Sequence, residues 1–96
     1  MSKSDLSSVL AAIQTRNAAR VVAALVAIDR WGERVTYEQI GAALEALTDH
    51  HIETSAVSRG LATAISDGLI VELRHNGHPF GYQPGRKLAR AIGVTL

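Results

Sequence analysis

The stretch from Thr54 to Pro84, TSAVSRGLATAISDGLIVELRHNGHPFGYQP, restricts the fold more than any other part of the chain. It opens with small polar residues suited to capping a helix, with Thr54 or Ser55 expected at the cap. Apolar positions Val57, Leu61, Ala64 and Ile65 then recur at helical spacing. Gly68, directly after Asp67, is placed to stop that helix, with Leu69 and Ile70 folding down past it as a glycine C-cap requires. Two β-prone runs follow, separated by Asn76-Gly77, a pair that favours a two-residue type I′ turn.

The turn sets a register for the hairpin. It predicts His75 opposite His78, Leu73 opposite Phe80 and Val71 opposite Tyr82. Side chains alternate along a strand, so these six share one largely apolar face. Glu72, Arg74, Gly81 and Gln83 fall on the other. Pro84-Gly85 ends the second strand, and 86–92 reads as a short closing helix.

Upstream, Leu6, Val9, Leu10 and Ile13 are spaced as one face of an amphipathic helix after a possible Ser4 cap. Arg16-Asn17 is expected to break or bend it. Residues 18–31 read as a second helix, stopped by Gly32. Val21, Leu25 and Ile28 form its stripe and Val22 and Val26 widen it, so it needs cover on more than one side. The segment 1–16 supplies that cover either from a second subunit, giving a homodimer through the N-terminal helices, or from the same chain in a monomer. Thr36-Tyr37-Glu38-Gln39 fits a capping box, followed by a helix burying Ile40, Ala43, Leu44 and Leu47. A short strand is expected near Val35, and Thr48–Glu53 reads as a polar connector.

Ninety-six residues suit a single domain spanning 1–96. With aromatics at only 4%, the core must be built mainly from Ala, Val, Leu and Ile. There are no cysteines, which excludes disulfides and thiol catalysis. The N-terminus MSKSDLSS lacks the apolar run of a signal peptide, and 18–28, interrupted by Arg20, is too short to span a bilayer. A cytoplasmic, soluble protein is the expectation, with no membrane partner. Net charge is +1, distributed unevenly: residues 54–96 hold five Lys/Arg and two acids, against five and seven in 1–53.

The element order is helix, helix, short strand, helix, helix, two-strand finger, helix. From about residue 18 to 93 the chain resembles the winged helix-turn-helix transcriptional regulators of the MarR and PadR kind. The matching stretches are V-T-Y-E-Q-I-G-A-A-L, S-A-V-S-R-G-L-A-T-A-I-S-D-G-L-I and F-G-Y-Q-P-G-R-K-L-A. The resemblance implies a mainly α fold with a small β-hairpin wing and an extra N-terminal helix. It implies sequence-specific binding of double-stranded DNA, with helix 55–67 in the major groove. The wing, 74–78, would lie on the backbone or minor groove.

At about 100° per residue, Ser55, Ala56, Arg59, Ala62, Thr63 and Ser66 point away from the apolar stripe of that helix. Arg59, the only charge there, is the candidate base contact, because a guanidinium can bond both acceptors of guanine; the plainer reading is a solvated surface charge. Ser55, Ser58 and Thr63 are candidates for phosphate or base contacts, and Ala56 for a thymine methyl. Thr36, Tyr37 and Gln39 could hold a phosphate at a helix N-terminus, although Thr36 and Gln39 already have capping roles. Arg74, His75, Asn76 and His78 form the wing tip, with Asn76 serving the turn.

Four imidazoles, His50, His51, His75 and His78, raise a metal site, but zinc needs three or four ligands in tetrahedral array, and none is assigned. No nucleophile motif, phosphate-binding glycine loop or paired-carboxylate setting points to catalysis, so neither enzyme activity nor a cofactor is expected. The competing function is a protein-interaction module of the same fold without DNA binding, favoured by the near-neutral charge and the sparse recognition face. A DNA-architectural factor is a third reading.

Overall fold

The computed structural model describes residues 16–94. Four helices are described: α1 (Arg16–Ile28), α2 (Tyr37–Thr48), α3 (Thr54–Ser66) and α4 (Arg86–Ile92). One antiparallel hairpin joins β1 (Ile70–His75) to β2 (His78–Pro84) between α3 and α4. This mainly helical arrangement with a small two-stranded sheet is compatible with a winged helix. The expected N-terminal helix over 1–16, and dimer contacts through it, fall outside the described residues except for Arg16.

The second expected helix, α1, differs from expectation at both ends. Arg16 and Asn17 belong to α1 rather than interrupting it. The helix stops at Ile28 rather than Trp31 because Asp29 turns left-handed, φ 54°, and donates its N–H to the Leu25 carbonyl at 3.0 Å. A short polar side chain tolerates that conformation better than most. Gly32, expected as the stop, instead ties the loop to the hairpin, its N–H donating to the Tyr82 carbonyl at 2.9 Å.

The capping box of α2 forms as expected. Thr36 Oγ1 accepts from the Gln39 N–H at 3.2 Å, and Gln39 Oε1 accepts from the Thr36 N–H at 2.9 Å. Ile40 and Leu44 are buried and Ala43 is half-buried, but Leu47 is 55% exposed. The inward row steps by four, through Ile40 and Leu44 to half-buried Thr48, whose hydroxyl donates to the Leu44 carbonyl at 2.7 Å.

Neither Thr54 nor Ser55 caps α3. Glu53 holds the cap position without a side-chain bond, and its carbonyl accepts from Ala56 and Val57. The other end closes as the glycine stop predicts. Gly68 is left-handed, φ 74°, its N–H donates to Ile65, and the Leu69 N–H donates to Ala64. Leu69 and Ile70 are buried as expected.

The hairpin register departs from the simple two-residue pattern. Asn76 and Gly77 both have positive φ, as a type I′ turn demands, and His75 pairs with His78. The ladder then shifts between Leu73 and Arg74, so Leu73 meets Gly81, Glu72 meets Tyr82 and Val71 meets Gln83. Phe80 is left without a partner in this ladder. Beyond the bulge the faces exchange: Ile70, Tyr82 and Pro84 are buried, whereas Val71 is 49% exposed. A third segment supplies the cause. Arg34 bridges Gly81, and the Val35 N–H donates to the Phe80 carbonyl at 2.8 Å. A Cβ on Gly81 would collide with the Glu33 carbonyl, so only glycine lets the backbones come together there. This bridge is the strand expected near Val35.

One core joins these pieces. Ala18, Val21, Val22 and Leu25 of α1, Ile40 and Leu44 of α2, and Val57, Leu61 and Ala64 of α3 are buried with Ile70, Tyr82 and Leu88. α1 and α3 approach closely, so that a Cβ on Gly60 would lie 2.7 Å from both the Asn17 carbonyl oxygen and Val21 Cγ2. Gly60→Ala should gain about 1 kcal/mol of helix propensity but lose roughly 1–3 kcal/mol to overpacking, leaving the protein less stable. Gly41→Ala, in a helix with nothing within 4 Å of the added carbon, should stabilise by up to about 1 kcal/mol. Chemical denaturation of both variants checks the opposite signs.

Candidate functional site

The buried face of α3 determines what the helix offers to solvent. Val57, Gly60, Leu61 and Ala64 face inward, so Ser55, Ser58, Arg59, Ala62 and Ser66 are exposed on the far side. Ala56 and Thr63 are half-buried at the edge of this face. Arg59 is exposed and takes part in no ion pair among the described residues, where the pairs are His51–Glu45 and Arg74–Glu72. Gly60 strengthens this arrangement: the residue next to Arg59 is clamped against α1, which fixes the helix rotation.

The tip of the hairpin is organised by Arg74. Its Nε donates to Glu72 Oε1 at 2.9 Å and its Nη1 to the Gly77 carbonyl at 3.0 Å. Arg74 therefore braces the turn, and a phosphate would have to share a guanidinium already engaged. His75, Asn76 and His78 are exposed around it. The left-handed conformation of Asn76 places it in the turn, as expected. His50 and His51 lie just beyond α2, and no group of three potential metal ligands gathers among the described residues.

Thr36 and Gln39 are exposed but committed to each other in the capping box. Tyr37, 42% exposed, begins α2 and lies close enough to Tyr82 to affect its ionisation. Burial, with smaller contributions from Tyr37 and Glu72, pushes the Tyr82 phenol up to about 12.

A groove of about 230 Å³ between α2 and α3 shares Tyr37 with the sites expected from sequence and is otherwise lined by residues not expected there. Tyr37, Gly41 and Ala42 line it from α2, Ile52 and Thr54 from the connector and α3, and Glu38 and Glu45 stand along it. His51 Nδ1 lies 2.7 Å from Glu45 Oε1. One signal of it is present in the sequence: residues 36–53 contain four acids (Glu38, Glu45, Asp49, Glu53) and no Lys or Arg. Comparisons with protein-family models, curated proteins and solved structures find no match to this chain.

The raised phenol of Tyr82 has a direct consequence. Its neutral form is favoured in the folded state, so its contribution to stability is complete below pH 10, the ordinary tyrosine value. That contribution is lost as pH rises from there through about 12. Thermal melts of wild type and Tyr82→Phe across this range should show the wild type losing stability more steeply, and parallel curves would refute the assignment.

Proposed function

We propose that this chain is a winged helix-turn-helix protein that binds double-stranded DNA in a sequence-specific manner and regulates transcription. In this reading α2 and α3 form the helix-turn-helix, β1 and β2 form the wing, and α3 enters the major groove. The observation that carries it is the exposed edge of α3, where Arg59, in no ion pair among the described residues, stands between small hydroxyl and methyl side chains. Small neighbours allow the helix to approach the groove floor, and Arg59 has the donor geometry to bond guanine O6 and N7. Ser55 and Ser58 would bond phosphates or base edges, and the wing tip would meet the flanking backbone. As a homodimer, two copies would read a partly palindromic site. This reading assigns the chain no catalytic step and no cofactor.

A specific observation favours a second reading, a protein-interaction module of the same fold. The segment from Thr36 to Glu53, which includes the first helix of the motif, is wholly acidic in its fixed charges. Phosphates would meet repulsion there rather than attraction. An acidic segment with an open groove suits a cationic protein surface instead.

Arg59→Ala separates the two. It should cost about 1–3 kcal/mol on the preferred duplex and much less on random duplexes. Fluorescence titrations of both proteins on selected and random fragments make the measurement. Unchanged affinity on both duplexes would remove α3 from the interface.

A further inference from the structure

The α2–α3 groove and the outer face of α4 are complementary in charge and are not paired with each other within one chain. In α4, Leu88, Ala89 and Ala91 are buried. Arg86, Lys87 and Arg90 are exposed, so the charged side chains on its outer face are all cationic. None of these three forms an ion pair among the described residues. Along the groove, Glu38 and Glu45 are exposed and stand seven residues apart on α2, about 10 Å along the helix axis. Glu38 forms no ion pair among the described residues, whereas an incoming cation would share Glu45 with the His51 imidazole, 2.7 Å away. Between them Gly41 and Ala42 present almost no side chain, which leaves an open trough. Tyr37 offers a partly exposed ring beside it.

We propose that this groove receives the cationic face of α4 from a second copy of the chain. The guanidinium and ammonium heads would pair with Glu38 and Glu45. Their aliphatic stems would lie along Tyr37 and the small residues of the trough. Every copy carries both surfaces, so the contact closes a two-fold pair when made reciprocally and leaves one of each surface free when made once. Sedimentation distinguishes the two outcomes, a dimer limit for the closed pair and a continuing rise in mass for a row of copies. The contact uses neither Arg59 nor the wing tip, and it shares with the DNA reading only Tyr37, at the start of α2.

Sedimentation velocity of the full chain without DNA tests the proposal. At low salt the average mass should rise with protein concentration, and added salt should reverse the rise. The double variants Glu38→Arg/Glu45→Arg and Arg86→Glu/Arg90→Glu should each weaken association by at least about tenfold, with circular dichroism confirming that both remain folded. An equimolar mixture of the two should associate again, because each reversed surface meets its complement. Wild-type mass that stays constant with concentration would overturn the proposal. So would variants that associate like wild type, as a dimer through another face would, or a mixture that fails to recover.

Discussion

The crossing of α1 and α3 at Gly60 is the contact on which the rest of the structure depends. The missing Cβ lets α3 settle against the Asn17 carbonyl and Val21. With that spacing, Val57, Leu61 and Ala64 fill the space beside Ala18, Val21 and Val22. A chain poor in aromatics cannot fill wide gaps with large rings, so it closes them by bringing backbones together. The same device recurs at Gly81, where the hairpin meets the Glu33 carbonyl. These two approaches fix the rotation of α3 and the seating of the hairpin.

Much of this architecture is legible in the sequence because local chemistry and tertiary packing agree. The Thr36–Gln39 box, the Gly68 stop, the Asn76-Gly77 turn and α4 appear where their residues place them. The departures arise where a distant segment overrides a local preference. Register from Leu73 onward shifts because Val35 and Arg34 engage Phe80 and Gly81, a contact that no hairpin rule contains. Gly32 reads locally as a helix end, yet its bond to Tyr82 is equally non-local. Leu47 reads as core from its apolar side chain, although the inward row of α2 runs through Thr48 instead. At the site, the exposure of Arg59 follows directly from helical periodicity. The bracing role of Arg74 depends on the turn carbonyl of Gly77 and has no signature in the pattern.

Charge shapes how such a surface would work. Net charge is +1, and residues 36–53 carry only acids among their fixed charges. A duplex would therefore gain little from general attraction, and binding would depend on the fit of α3 and a few well-placed donors. This favours discrimination over non-specific affinity. The acidic trough along α2 would serve a different purpose, as a receptor for the cations of α4. One small chain would then use α3 toward nucleic acid and α2 with α4 toward its own copies.

The most direct test is whether the wild-type chain recovers a defined sequence from a random duplex library. A DNA-reading α3 predicts enrichment of one motif, whose isolated duplex binds in a saturable way and loses affinity steadily as salt is raised. No retention of any duplex at micromolar protein and low salt would contradict it, and would leave the acidic groove as the working surface of the molecule.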